Sequence, residues 1–149
     1  MVGNARNALE TTIELVKSRS TSYTAARMRD FQSVQLRIGI AGAKIDAAAV
    51  LLRSDILEAQ QVYAEGGGFD MERRLRCKRN CALAAKLCVE AVDTLHEMAG
   101  ANGIYDHYPL QRMFRDSHAA AGHVNFSCDV QIPGWALVAM GGEFKSPTL

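Results

Sequence analysis

Between Asp30 and Glu65 the chain runs 36 residues without a proline, and it stops at Gly66-Gly67-Gly68. Apolar residues recur at helical spacing along it, from Phe31, Val34 and Ile38 through Ile45, Leu52 and Ile56 to Val62. One helix over that stretch would be roughly 50 Å long at about 1.5 Å per residue. No single helix of that length buries its own stripe. It must lie along other long helices or reach into a partner. Ala41, Gly42, Ala43, Ala47, Ala48 and Ala49 are small enough for close helix–helix approach, so self-association through the long helices, as a dimer or tetramer, is expected. The triple glycine ends the helix because glycine takes the left-handed conformation that closes a helix.

The rest of the chain falls into shorter helical units. Residues 4–19 form an amphipathic first helix on Ala8, Leu9, Thr12, Ile13 and Val16, with Gly3 and Asn4 as entry and cap. A serine- and threonine-rich loop, Ser18 to Thr24, follows. Asp70 caps a third helix over about 71–99, which ends at Gly100. A loop from Gly100 to Tyr108 leads to Pro109, which suits a helix first turn. The fourth helix runs to about Gly122, and a last one covers about 130–140. The tail from Gly141 reads as loose. No segment alternates with period two. The fold class expected is all-α: residues 1–149 form one domain, an up-and-down four-helix bundle with a short extra C-terminal helix.

Composition removes several function classes. Of the 149 residues, 48% are apolar and 22% charged, and the net charge is +1. Such a surface attracts neither nucleic acid nor an anionic membrane as a whole. The cluster Arg73, Arg74, Arg76, Lys78 and Arg79 reads as a solvated or subunit-facing helix surface rather than a phosphate patch. No apolar run approaches the ~18–20 residues of a transmembrane helix. The N-terminus lacks a signal-peptide core, so a cytoplasmic location is expected. Cys77, Cys81 and Cys88 share a face of the third helix without zinc-type spacing. They read as small, reduced, interface residues.

The chemistry concentrates in Gly100 to His123, GANGIYDHYPLQRMFRDSHAAAGH. Arg112 and Arg115 share a helix face and, with Asp116, can form an ion-pair network or hold an anion. His118 and His123 are five apart, so on one regular helix they would point about 140° from each other. That is a poor metal pair. His96 has Asp93 three residues before it, but no second such motif supports a di-iron bundle. No metal site is expected.

Three stretches together carry a resemblance. GNARNALETTIELVKSR, then DFQSVQLRIGIAGAKIDAAAVLL with its Gln32-x-x-Gln35-Leu36 pattern, then loop glycines followed by YPLQRMFRD resemble, in order, the C-terminal helical domain of the acyl-CoA dehydrogenase superfamily. Dehydrogenases of that family commonly carry a catalytic Glu eight residues after the Arg-Asp aspartate. Here that position is Val124, and no Asp or Glu lies between Ser117 and Cys128. Proton abstraction alpha to a thioester needs a carboxylate there. The segment RDSHAAAGH instead resembles the Arg-Asp-x-His-x4-His pattern of the flavin-dependent aromatic monooxygenase branch, the oxygenase components of two-component hydroxylases.

The resemblance implies an enzyme that takes reduced flavin (FMN or FAD) from a separate flavin reductase. With O2 it would hydroxylate a small phenolic or polyketide-type aromatic substrate. It implies His123 as the acid/base group, assisting phenol deprotonation or stabilising the flavin hydroperoxide, with His118 beside it. Arg19 and Gln32, with the loop glycines Gly100 and Gly103, fall where flavin contacts would lie, some of them to a neighbouring subunit's flavin. Family members are longer and carry an N-terminal helical domain and a β-barrel domain that have no counterpart in these residues. The isolated chain is therefore expected to be catalytically silent. Two other readings stand beside this one: a non-catalytic helical oligomerisation module, and a dehydrogenase using another base.

Overall fold

The computed structural model describes residues 1–21 and 24–145. Among these residues five helices follow one another: α1 (Val2–Ser18), α2 (Gln32–Ala64), α3 (Met71–Glu97), α4 (Pro109–Ala121) and α5 (Cys128–Ala139). Short 3-10 turns stand before α2, α4 and α5. Among the described residues there is no strand, only an isolated bridge between Ser20 and Arg27. The architecture is the expected all-α bundle. Among the described residues no helix is long and apolar enough to cross a membrane. Ser22 of the serine-rich loop and tail residues 146–149 lie outside the described residues.

The helix ends follow local chemistry. Val62, Tyr63, Gly66 and Gly67 form a Schellman close: Gly66 N–H donates to Tyr63 O (3.1 Å) and Gly67 N–H to Val62 O (2.9 Å), with Gly66 at φ +77°. Asp70 caps α3, its Oδ1 accepting from Arg73 N–H at 2.8 Å. Pro109 opens α4, where it has no N–H to leave unpaired. The start of α1 is different from the expectation. The helix begins at Val2, so Gly3 and Asn4 lie inside it. The Asn4 side chain is a cross-brace instead of a cap: Nδ2 donates to Met113 O and Ser117 Oγ on α4, both at 2.8 Å. The tail also departs from the expectation at its start, because Gly142 N–H donates to Leu137 O and Phe144 packs against Gly134 of α5.

Helix α3 is the axis, and every other helix packs on it. Its buried residues include Leu75, Ala85, Cys88, Val92 and Leu95. Cys88, Val92 and Leu95, with Ala84 and Ala91, meet Ala5 and Ala8 of α1, Ala41, Ile45 and Ala48 of α2, and Leu110 of α4 in one core. The alanines let the axes approach closely, and Ile45, Leu95 and Leu110 supply the bulk. Burying each of these three contributes about 2 kcal/mol. On α2 only Val34, Ala41, Ile45 and Ala48 are buried. Leu36 (61% exposed), Val50 (68%), Ile56 (57%) and Leu57 (52%) face outward, so the apolar positions of this helix divide between the core and an open face.

A polar seam fixes α2 against α3. Asn80, buried on α3, donates from Nδ2 to both carboxylate oxygens of Asp55 at 3.0 Å. Its Oδ1 accepts from Arg79 Nε (3.1 Å) and Nη2 (2.9 Å). Arg79 in turn lies 4.0 Å over the Trp135 ring of α5. Arg76 pairs with Glu58 and approaches Asp55 (3.8 Å), and Arg73 meets Glu58 at 3.4 Å. The basic start of α3 is thus engaged with acidic residues of α2 and with α5. Nearer the other end, Lys44 reaches Glu90 (2.7 Å) and Arg37 reaches Glu97 (3.2 Å). Asn80→Ala removes the donor to a partly buried carboxylate and leaves Arg79 without its acceptor. It is expected to destabilise the fold by about 1–3 kcal/mol, read as a lower urea midpoint at unchanged slope.

Candidate functional site

The residues singled out in the sequence fall at two ends of α4. This helix has 13 residues and is therefore roughly 20 Å long. Arg19 ends α1 and lies half-buried beside Tyr108 and Leu110 at the start of α4. Arg19 O accepts from Met28 N–H (3.0 Å), which brings the start of α2 and the exposed Gln32 to the same end. Gln32 shares an open cleft with Ser33, Gln35 and Leu36. Arg19 has no acidic partner among the described residues, so its guanidinium is available to an anion. His118 is in the last turn of α4, at the end away from Arg19, and His123 lies just beyond that same end. The site residues therefore form two groups rather than one pocket.

The loop glycines divide as well. Gly100 is exposed with φ +58°, a conformation that favours glycine. Gly103 is buried. A Cβ there would lie 2.8 Å from His96 Nε2, and that nitrogen donates to Gly103 O at 3.2 Å. The loop is therefore anchored on His96. The ring of His96 stacks on Phe114 at 4.4 Å and 24°, and Phe114 meets His118 at 4.4 Å and 53°. His118 Nε2 donates to Asp93 Oδ1 of α3 at 2.8 Å. A continuous line of contacts thus runs from Gly103 through His96 and Phe114 to His118 and Asp93.

His118 and His123 do not share a helix, so the helical angle between them does not apply. Helix α4 stops at Ala121. His123 caps the turn Val124–Phe126, its Nδ1 accepting from Asn125 N–H at 3.2 Å, with Phe126 beside the ring at 5.9 Å. Arg112 pairs with Asp116 at 3.6 Å, one turn apart and largely exposed. That pair contributes little to stability. The cysteines are free. Burial first, then the Asp55 charge, pushes the Cys77 and Cys81 thiols above their ordinary range, and burial does the same for Cys88. They are protonated, poor nucleophiles at neutral pH.

A sequence profile described as "Acyl-CoA dehydrogenase, C-terminal domain" matches residues 1–128. The chain belongs to that family. Among its relatives in this acyl-CoA dehydrogenase-type group is the oxygenase component of a FADH(2)-dependent resorcinol hydroxylase from Rhizobium, 32% identical over 136 residues, which are 86% of this chain and 33% of the relative. Another is the oxygenase component of p-hydroxyphenylacetate 3-hydroxylase from Acinetobacter baumannii, 32% identical over 142 residues, 93% of this chain and 33% of the relative. The chain spans about a third of the length of these curated relatives. The crystal structure of a 3-HSA hydroxylase from Rhodococcus superposes with a TM-score of 0.88 at 26% identity, covering 97% of this chain and 37% of that one. XiaF from Streptomyces, solved with FADH2 and glycerol, reaches 0.92 at 22% identity over 99% of this chain and 38% of its own; this second likeness is one of fold. The branch expected from RDSHAAAGH is the one in which these relatives lie.

Sequence reasoning missed Asp93 as a partner of His118 and Asn125 as a partner of His123. The first pairing spans 25 residues and two helices, and only the packing of α3 on α4 creates it. The second is local, and a histidine two residues before a backbone N–H at a helix exit is a weak but usable signal. Gly103→Ala is expected to push His96 off Phe114 and to cost roughly 1–3 kcal/mol through overpacking. The measurement is thermal unfolding together with the loss of ring-current shifts between His96 and Phe114.

Proposed function

We propose that these residues act as the C-terminal domain of a flavin-dependent monooxygenase that hydroxylates a phenolic or polyketide-type aromatic substrate with reduced flavin and O2. The observation that carries this reading is the loop after α4. Where a dehydrogenase would present a carboxylate base, this loop offers His123 as its titratable side chain, with His118 five residues before it in the last turn of α4. An imidazole suits proton handling on a phenol near neutral pH, whereas a thioester alpha-carbon asks for a carboxylate. The kinship with oxygenase components supports the same reading.

The donor set suits reduced flavin. Arg19 offers a guanidinium without an acidic partner among the described residues and Gln32 an exposed amide at one end of the bundle, and either can hold an anionic or carbonyl group. Reduced flavin, when bound, supplies the electrons that activate O2. The chain's own part is to hold the flavin at Arg19 and Gln32, with Gly100 allowing close backbone approach, and to place two imidazoles near the phenol. Gly103 is left out of that set because it is packed on His96. The roughly 20 Å between the two groups is consistent with one protomer's Arg19 and Gln32 serving a neighbour's flavin. The remaining walls of the pocket would come from a helical domain and a β-barrel domain of the family, so the isolated chain is inactive.

Two experiments test this. Supplied with reduced flavin, O2 and a phenol, the isolated chain should form no hydroxylated product. The same chain, placed in the resorcinol hydroxylase oxygenase component in exchange for the matching third, should restore product. Robust turnover by the isolated chain, or a folded but inactive hybrid, would overturn the reading. Flavin reduction dependent on acyl-CoA would favour a dehydrogenase instead. The outward apolar residues of α2 favour an assembly role in addition. Sedimentation should show a dimer or tetramer, and Leu36→Glu with Ile56→Glu should shift it toward monomer.

A further inference from the structure

The two histidines are locked by partners of fixed polarity, and those partners set opposite roles. A backbone N–H can only donate. Because Asn125 N–H points at His123 Nδ1 (3.2 Å), that nitrogen holds a lone pair, and the neutral ring carries its proton on Nε2. The edge of His123 left for a ligand is therefore an N–H donor. A carboxylate, conversely, only accepts. Because Asp93 Oδ1 lies 2.8 Å from His118 Nε2, a proton of His118 sits on Nε2, and in the neutral ring the lone pair is on Nδ1. No protein group engages that Nδ1 among the described residues, and the side chain is 46% exposed. The edge of His118 left for a ligand is an acceptor.

We propose that Asp93 is a positioning residue that makes His118 the proton acceptor of this face, while His123 presents a hydrogen-bond donor. The proposal rests on the phenol-hydroxylating reading above and reassigns the acid/base work within it from His123 to His118. In the step concerned, the phenol O–H bond breaks and an Nδ1–H bond forms on His118. The products are a phenolate and an imidazolium whose Nε2–H remains on Asp93. The proton later leaves to water. His123 cannot take that proton at Nε2 without first giving up its bond to Asn125.

The geometry around the pair is supportive. Asp93 and His96 are one turn apart on α3, so the carboxylate that holds His118 and the ring that stacks on Phe114 come from the same face. Phe114 packs between the His96 and His118 rings, and the buried Ser117 hydroxyl, bonded to Asn4, fixes the turn that carries His118. The imidazole is thus restrained by a hydrogen bond at one edge and an aromatic face at its side. Outer partners of this kind commonly change activity by 10–100-fold when removed.

The test begins with the 149-residue chain itself, by long-range 1H–15N spectra of its imidazoles at neutral pH. The result expected is a slowly exchanging proton on His118 Nε2, a lone-pair shift on His118 Nδ1 and on His123 Nδ1, and loss of the His118 proton signal in Asp93→Ala. Asp93→Glu, which keeps a carboxylate, should restore part of it. A His118 proton on Nδ1, or a signal indifferent to Asp93→Ala, overturns the proposal. In the hybrid enzyme, Asp93→Ala should lower kcat by roughly tenfold at unchanged KM, His118→Gln by roughly 100-fold, and His123→Gln, which keeps an N–H donor, by less than His123→Ala. Full kcat in both Asp93→Ala and His118→Gln also overturns it. If the hybrid with the unaltered chain makes no product, the monooxygenase reading fails, and the spectra still decide the roles of the two rings.

Discussion

The fold depends on the contact between α2 and α3, and at its centre on one buried amide. Asn80 ties a carboxylate of α2 to a guanidinium of its own helix, and that guanidinium lies on the indole of α5. Three helices are set in register by one side chain. An apolar residue in its place would fill the volume but would leave Asp55 and Arg79 facing each other's helices without a mediator. Buried polar groups earn specificity in this way more than raw stability. The small-residue core of α1, α2 and α3 would tolerate a slip along the helix axis far better than the Asn80 network does.

Much of the bundle was legible in the sequence because its punctuation is chemical. Gly66, Asp70, Gly100 and Pro109 each mark a helix end by a backbone or capping requirement, and all four do so in the structure. The errors lie where the chain lacks such requirements. Helix α1 starts at Val2 without a side-chain cap, so the sequence offered Asn4 as a false one. Asn4 was free to turn toward α4 because tertiary contacts with Met113 and Ser117 outweigh a local cap. The apolar periodicity of α2 was visible, but periodicity alone does not say how much of a stripe meets the core. Leu36 and Ile56 carry the same signal as Ile45 and face outward.

The candidate site was legible in its residue types and not in its pairings. The two imidazoles, the missing carboxylate and Arg19 are matters of sequence. The contacts that give those imidazoles their proton polarity are not. In the sequence Asp93 stands three residues before His96, and its partner in the fold is His118 on another helix. Nor does the spacing of His118 and His123 say that α4 ends between them. Polarity at a histidine is decided by the second ring nitrogen, and the partner of that nitrogen comes from tertiary structure in one case and a turn in the other.

Helix α5 carries Pro133 and Gly134 side by side, and the Phe144 ring from the tail packs against the glycine. A methyl group at residue 134 would come within 2.7 Å of the Phe144 ring. The two positions are therefore coupled across ten residues of chain. Among divergent copies of this domain, a side chain at 134 should be found only where 144 is small or where the tail leaves α5 by another route. A side chain at 134 clashes while Phe144 is in place, whereas a smaller residue at 144 leaves only a void, so drift at this corner of the bundle has to begin at 144 or in the path of the tail.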